Sequence, residues 1–219
     1  GLARNIEQCL NDFNIPLKLS HTVVEIHGDK RVTGVTIAKV DENLKPIQES
    51  REYIPCDTLL LSVGLIPENE LSKSANIELS NITSGAIVDQ NRQTSVEGIF
   101  ACGNVLHVHD LVDFVSEEAE IAGLSAANYI KDLKEEKTNI NITTDGKVRY
   151  TVPSTITSLK DVKVYFRVSD VFKNVNILVK NGNGEVIHKK KKAKVAPGEM
   201  ETITLKSNQL TNIKELHFE

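Results

Sequence analysis

Two imidazoles alternate with an apolar residue in His107-Val108-His109-Asp110, so on an extended segment both rings share one face. With Asp110 or Asp113 they could bind a metal ion or move protons. Two histidines without a third fixed ligand make a weak metal set, and hydrogen-bonded packing is the simpler reading. Just before them, residues 94–105 read T-S-V-E-G-I-F-A-C-G-N-V. Ile99, Phe100, Ala101 and Cys102 form a short apolar run suited to a strand buried on both faces, and Gly103-Asn104 ends it abruptly. A polar turn at the carboxyl end of a buried strand, followed by a helix, is where open α/β sheets bind ligands, because backbone N–H groups and the helix N-terminus converge there. A second apolar run, residues 56–64, ends in Gly64 and is followed by Leu65-Ile66-Pro67-Glu68-Asn69.

These residues need elements to hold them. The spacing predicts a helix over residues 114–133 with a buried stripe of Val115, Ala119, Ala122, Gly123, Ala126, Ala127 and Ile130. Small side chains let such a helix press close to a sheet or ligand. Glu117 and Glu118 fall in its first turn, where they suit the helix dipole better than catalysis. Upstream, residues 2–14 read as an amphipathic helix ended by Pro16, and residues 22–27 and 32–40 as a hairpin around Gly28-Asp29-Lys30-Arg31. His21 and His27 belong to surface or turn positions of that hairpin. A short helix over 68–75 and a small strand at 87–89 lead back to Thr94. Downstream, alternating runs at 147–152, 162–168, 175–180, 185–189, 201–205 and 213–218 predict a small antiparallel sandwich of immunoglobulin-like type. The lysine run 189–192 reads as a solvated edge guarding against aggregation.

Composition narrows the classes further. The chain has 219 residues, 40% hydrophobic and 26% charged, enough for one large or two modest domains. No apolar run approaches the ~20 residues that span a bilayer, so no membrane partner is expected. Cys9, Cys56 and Cys102 are widely spaced with no C-x-x-C, which fits a reducing, cytoplasmic setting. Residues 1–136 hold 11 Lys+Arg against 22 Asp+Glu, a balance of −11, whereas residues 137–219 hold 15 against 8, a balance of +7. That asymmetry places a boundary at 136/137 and suggests that the basic part docks an acidic partner. Nucleic acid is disfavoured, since the lysine run has no interleaved aromatics and the first part is strongly acidic.

Residues 94–105 resemble the second FAD-binding motif of the pyridine nucleotide-disulfide oxidoreductase family, T-x-x-x-G-h-(F/Y)-A-x-G-D, where h is apolar. Thr94, Gly98, Ile99, Phe100, Ala101 and Gly103 fit it. Asn104 stands where the pattern has an Asp on the flavin ribityl chain; it keeps an acceptor oxygen and gains a donor but loses the charge. Residues 56–69 resemble the family's crossing from the NAD domain back to the FAD domain, which would set Gly64 against the dinucleotide. The hairpin resembles the late NAD-domain strands. Ala119-x-x-x-Gly123-x-x-Ala126-Ala127 resembles the helix whose N-terminus faces the flavin pyrimidine ring, making Phe114 and Val115 backbone donors. No catalytic residue is identified; His107 and His109 are weak candidates for a role beside the isoalloxazine, the alternative to packing.

The resemblance covers residues 1 to about 133 and is closest to bacterial NAD(FAD)-dependent dehydrogenases. It implies an α/β fold: a partial two-dinucleotide-binding-domain flavoprotein over 1–136, then the sandwich over 137–219. FAD and NAD(P) are the implied cofactors, with hydride passing from nicotinamide to flavin and on to an unidentified acceptor. Residue 1 is Gly, the sole methionine is Met200, and no G-x-G-x-x-G follows a predicted strand. The chain therefore reads as the carboxyl-terminal portion of a longer enzyme, inactive alone. Its expected partners are the missing N-terminal half, an acidic electron carrier or partner subunit, and a second copy. The rival reading is a non-catalytic interaction module with an unused flavin site.

Overall fold

The hairpin pattern folds as expected from its alternation. The computed structural model describes residues 6–62, 64–133 and 136–219, and the chain divides between Gly64 and Leu65 into two compact units, each taken by itself. In the first unit β1 (His21–His27), β2 (Gly34–Lys39) and β3 (Glu52–Pro55) form an antiparallel sheet in the order β1-β2-β3. Central β2 carries the buried Val35, Ile37 and Ala38, the first two β-branched as suits a strand flanked on both sides. His27 hydrogen-bonds Thr36 Oγ1 at 2.7 Å, and His21 Nδ1 lies 2.7 Å from the Leu19 carbonyl. Both are local contacts of the hairpin.

Two expectations in this unit change. Residues 2–5 of the predicted first helix lie outside the described residues; the remainder is a six-residue π-helical turn, Ile6–Asn11, that leaves Phe13 exposed. Residues 56–62, expected as a buried strand, belong to no sheet, and Leu60 is 89% exposed. A parallel strand is buried only between neighbours and under covering helices, and among the described residues none pairs with this run.

The second unit opens with α1 (Glu70–Ser74) and continues through bridged loops, Val88 against Thr94 and Gln93 against Phe100. The expected buried strand at residues 99–102 is this single-bridge segment, for the same want of neighbours, and Ile99 is exposed. A 3₁₀ turn, Gly103–Val105, leads to α2 (Val112–Ile130). Eight strands follow: β4 (Lys137–Thr144), β5 (Val148–Val152), β6 (Thr155–Ser158), β7 (Val162–Val168), β8 (Phe172–Asn181), β9 (Val186–Val195), β10 (Glu201–Leu205) and β11 (Glu215–Phe218). They make two sheets, β10-β7-β5 and β6-β4-β11-β8-β9.

One core, including Ile140, Val164, Phe166, Val179, Leu205 and Phe218, draws on both sheets. Pairing is not antiparallel throughout, because β11 runs parallel to β4. These strands stand at opposite ends of the segment, so the long connection that a parallel pair needs is available. The lysine-rich β9 is an edge strand, and Lys192 reaches Glu201 of β10 at 2.8 Å. Residues 65–133 are stitched to the strands across the charge boundary. Val152 joins Ile77, Ala86, Val88 and Leu106 in a smaller core, and Gln90 Nε2 donates to Ser158 Oγ at 2.8 Å.

Candidate functional site

The centre of the second unit is a carboxylate, not a strand end. Glu118, on α2, is fully buried and accepts four hydrogen bonds. Its Oε1 takes Arg92 Nε at 2.9 Å and His107 Nε2 at 3.3 Å; its Oε2 takes the Gly103 N–H at 2.8 Å and His109 Nε2 at 2.9 Å. That fills the acceptor capacity of an ionised carboxylate.

Each partner arrives by local rules. Asp89 Oδ1 accepts the Asn91 and Gln93 N–H groups at 2.8 and 3.0 Å, closing a turn in which Arg92 has φ +66° and points inward, 1% exposed. Asn69 donates to the Val105 carbonyl at 2.8 Å, which pins the Gly103–Val105 turn. Gly103 sits at φ +76°, a conformation that favours glycine, and this aims its N–H at Glu118. Asn104 Oδ1 accepts the His109 N–H at 3.1 Å.

Burial opposes ionisation of Glu118, but the bonds from His107 and His109 and the Arg92 charge outweigh it and hold the carboxyl well below its ordinary range. Burial lowers the His107 pKa, partly offset by Glu118, so this ring is neutral near pH 7. Because a carboxylate only accepts, Nε2 carries the proton in both rings; among the described residues each Nδ1 is buried without a partner, as is Arg92 Nη2. Burial, then the Glu118 charge, pushes the Cys102 thiol up, away from the thiolate that reactive cysteines need.

The helix face therefore differs from the predicted stripe. Glu118 and Ala122 are the buried residues of α2, whereas Ala119, Gly123 and Ile130 are exposed. Glu118 is expected as a first-turn partner of the helix dipole, and its four donors instead make it the buried centre of the cluster. Asp110 and Asp113 do not join the histidines: Asp110 turns to Arg167 at 2.6 Å, and Asp113 is exposed. Donor atoms of His107, His109 and Glu118 lie within 4.8 Å of one another, a spacing a metal ion could use. Here Glu118 already has its four donors and Arg92 supplies the positive charge, so the geometry is that of a hydrogen-bonded ion pair.

The structure brings Gly103, Asn104, His107, His109, Phe114 and Val115 together. A Cβ built on Gly103 would meet Val115 Cγ1 at 3.5 Å, and the Phe114 ring lies 6.5 Å from His109 and 5.8 Å from Tyr165. The Phe114 N–H is turned to the Leu111 carbonyl at 3.2 Å. Gly64, at φ +92°, closes the other unit. Sequence reasoning missed Arg92 and the role of Glu118; the available signal was the i, i+4 pair Glu118/Ala122, flanked by Val115 and Ala126 at helical spacing.

Of the implied FAD, the residues present fit the ring and ribityl end. Asn104 is exposed beside the turn, Leu111 just before α2 offers no side-chain cap, and Val112 is 74% exposed. An uncapped helix start beside a polar turn suits an electron-rich group.

The family model for pyridine nucleotide-disulphide oxidoreductases matches residues 1–119. Thioredoxin reductase of Listeria monocytogenes is 29% identical over 133 residues, which is 59% of this chain and 39% of that protein. A Staphylococcus aureus alkyl hydroperoxide reductase subunit is 30% identical over 118 residues, 53% of this chain and 22% of the relative. The crystal structure of T. acidophilum thioredoxin reductase aligns over 58% of this chain and 40% of that chain, with 28% identity and a TM-score of 0.48. The chain thus spans about two-fifths of the length of the thioredoxin reductases it matches.

Proposed function

The chain belongs to the pyridine nucleotide-disulphide oxidoreductase family, and on that premise we propose that it is part of an FAD-dependent NAD(P)H oxidoreductase. The observation that carries this reading is the meeting of the Gly103-Asn104 turn with the uncapped start of α2, next to a buried charge-balanced cluster. Bound FAD supplies the redox chemistry, accepting hydride from a nicotinamide and passing electrons to an acceptor.

The residues of this chain do the positioning. Asn104 binds the ribityl chain through its amide while its Oδ1 orients the H-V-H-D loop. The Phe114 N–H is held by the Leu111 carbonyl, so the start of α2 would meet the pyrimidine edge, where negative charge gathers on reduction, through the N–H groups ahead of Phe114. Arg92 and Glu118 anchor that turn from inside as a charge-balanced pair, and His107 and His109 complete the anchor. Gly64 serves the dinucleotide passage.

Residues 1–136 form the oxidoreductase region in this reading, and residues 137–219 an appended immunoglobulin-like sandwich whose +7 charge suits an acidic carrier or a partner subunit. The S. aureus relative is itself named as one part of a larger reductase, which supports an assembly of that kind. Among the described residues no helix is long and apolar enough to cross a membrane, and Cys9, Cys56 and Cys102 are free thiols, which supports a cytoplasmic setting.

Titrating the 219-residue chain with FAD while following flavin fluorescence tests the proposal. Saturable quenching that weakens in Asn104→Ala, with bleaching of the visible flavin band by NADH or NADPH once the rest of the enzyme is supplied, is the expected result. FAD fluorescence left unchanged even with the rest of the enzyme supplied overturns it.

A further inference from the structure

β7 shows two characters on its two faces. Val162, Val164, Phe166 and Val168 point into the core between the sheets, so Lys163, Tyr165 and Arg167 occupy the opposite face, where solvent would be expected. Tyr165 is nonetheless fully buried. What covers it is the first turn of α2 and the H-V-H-D loop, through Phe114, His107 and His109 at ring separations of 5.8, 5.9 and 5.8 Å.

Polar contacts repeat the same pairing of elements. Tyr165 Oη donates to Glu117 Oε2 at 2.8 Å, and Lys163 Nζ donates to the same oxygen at 2.5 Å. Arg167 spreads its guanidinium over three acceptors: the Val108 carbonyl at 2.9 Å, Asp110 Oδ1 at 2.6 Å and the Pro197 carbonyl at 3.0 Å. The Met200 N–H, just before β10, donates to Asp110 Oδ2 at 2.5 Å. Adjacent glutamates on α2 are therefore held from different places: Glu118 by residues 92–109 and Glu117 by β7. A helix start with no cap of its own is fixed by side chains reaching it from a sheet some 50 residues later in the chain.

We propose that β7 is a positioning element for the start of α2, with Arg167 and Tyr165 as positioning residues that orient the H-V-H-D loop and the first-turn N–H groups. Its consequence for a cofactor rests on the flavoprotein reading above; the mechanical claim does not. The basic carboxyl-terminal region then sets the polarity that the flavin experiences, in addition to any docking it performs.

The test uses the full chain with Arg167→Met, Arg167→Lys and Tyr165→Phe. Backbone hydrogen exchange should rise about tenfold or more at residues 108–116 in Arg167→Met, while β8 and β9 stay within about twofold of the parent. Arg167→Lys should recover only part of the protection, since one ammonium cannot bridge the Val108 carbonyl, Asp110 and the Pro197 carbonyl together. Should Arg167→Met lose protection throughout the second unit, Tyr165→Phe decides, because it keeps the ring and removes only the bond to Glu117. With FAD bound in the assembled enzyme, the ratio of oxidised to reduced flavin at a fixed applied potential should change about tenfold, or about 30 mV for a two-electron couple. Exchange at residues 108–116 unchanged in both Arg167→Met and Tyr165→Phe overturns the positioning role. Faster exchange with an unmoved flavin ratio overturns its reach to the cofactor. Faster exchange in a chain that never quenches FAD, even with the rest of the enzyme supplied, supports the positioning role and overturns the flavoprotein reading.

Discussion

Truncating Glu118 is the sharpest perturbation available. Glu118→Ala removes one carboxylate and strands four donors in a region where Arg92 is 1% exposed and Glu118 itself 0%. Losing one member of a buried ion pair destabilises by about 3–5 kcal/mol, because the other charge stays buried and unpaired. An exposed pair would lose at most about 1 kcal/mol. For a domain of 150–250 residues each kcal/mol shifts Tm by roughly 2–4 °C, so the unit's transition should fall by about 6–20 °C.

Glu118→Gln should recover little, since it preserves shape but not charge and turns an amide donor toward existing donors. Arg92→Met with Glu118→Met removes both charges and should be more stable than Glu118→Ala by about 2 kcal/mol or more, in line with buried pairs replaced by apolar residues. The assay is thermal and urea unfolding followed by circular dichroism, with hydrogen exchange to separate the two units, since a chain of two units need not unfold in one step. A loss below about 1 kcal/mol in Glu118→Ala would refute the view that this cluster holds the unit together.

The cluster also predicts a pH dependence. His107 has its pKa lowered by burial, so the folded protein binds fewer protons at this ring than the unfolded chain. Its contribution is complete above the ordinary value of 6.5 and is lost as pH falls below that value toward the folded pKa, a phase that His107→Asn should remove in urea titrations. Glu118 behaves likewise at lower pH: its stabilisation is complete above 4.5 and disappears in stronger acid. Because Arg92 supplies the counter-charge, neither EDTA nor Zn²⁺ should move the Tm of the second unit by more than about 2 °C; stabilisation by Zn²⁺ of several times that would make His107, His109 and Glu118 a metal site. Gly103→Ala should cost about 1–2 kcal/mol from its φ of +76° alone, since an added Cβ would meet only Val115 Cγ1 at an ordinary 3.5 Å.

Features governed by a few neighbouring residues could be read directly from the chain. The β1-β2 hairpin, the helix after the Gly-Asn turn and the strands β5, β7 and β10 follow from alternation, helical spacing and turn residues, all of which act within a few positions. Strands β4 and β6 escaped because K-T-N-I-N-I-T-T and T-I-T-S are polar and short, and become strands only when sheet neighbours satisfy their backbones. The apolar runs at 56–62 and 99–102 carry the composition of buried strands yet lack partners, because composition cannot supply the adjacent backbone. Glu118 shows the same limit for charge: at helix-surface spacing an acid reads as solvated, and only folding brings Arg92, 26 positions away, and the Gly103 N–H, 15 away, close enough to make its burial favourable. Local pattern specifies which segments curl or extend, whereas the free energy of a buried charge depends on groups that the linear chain keeps apart.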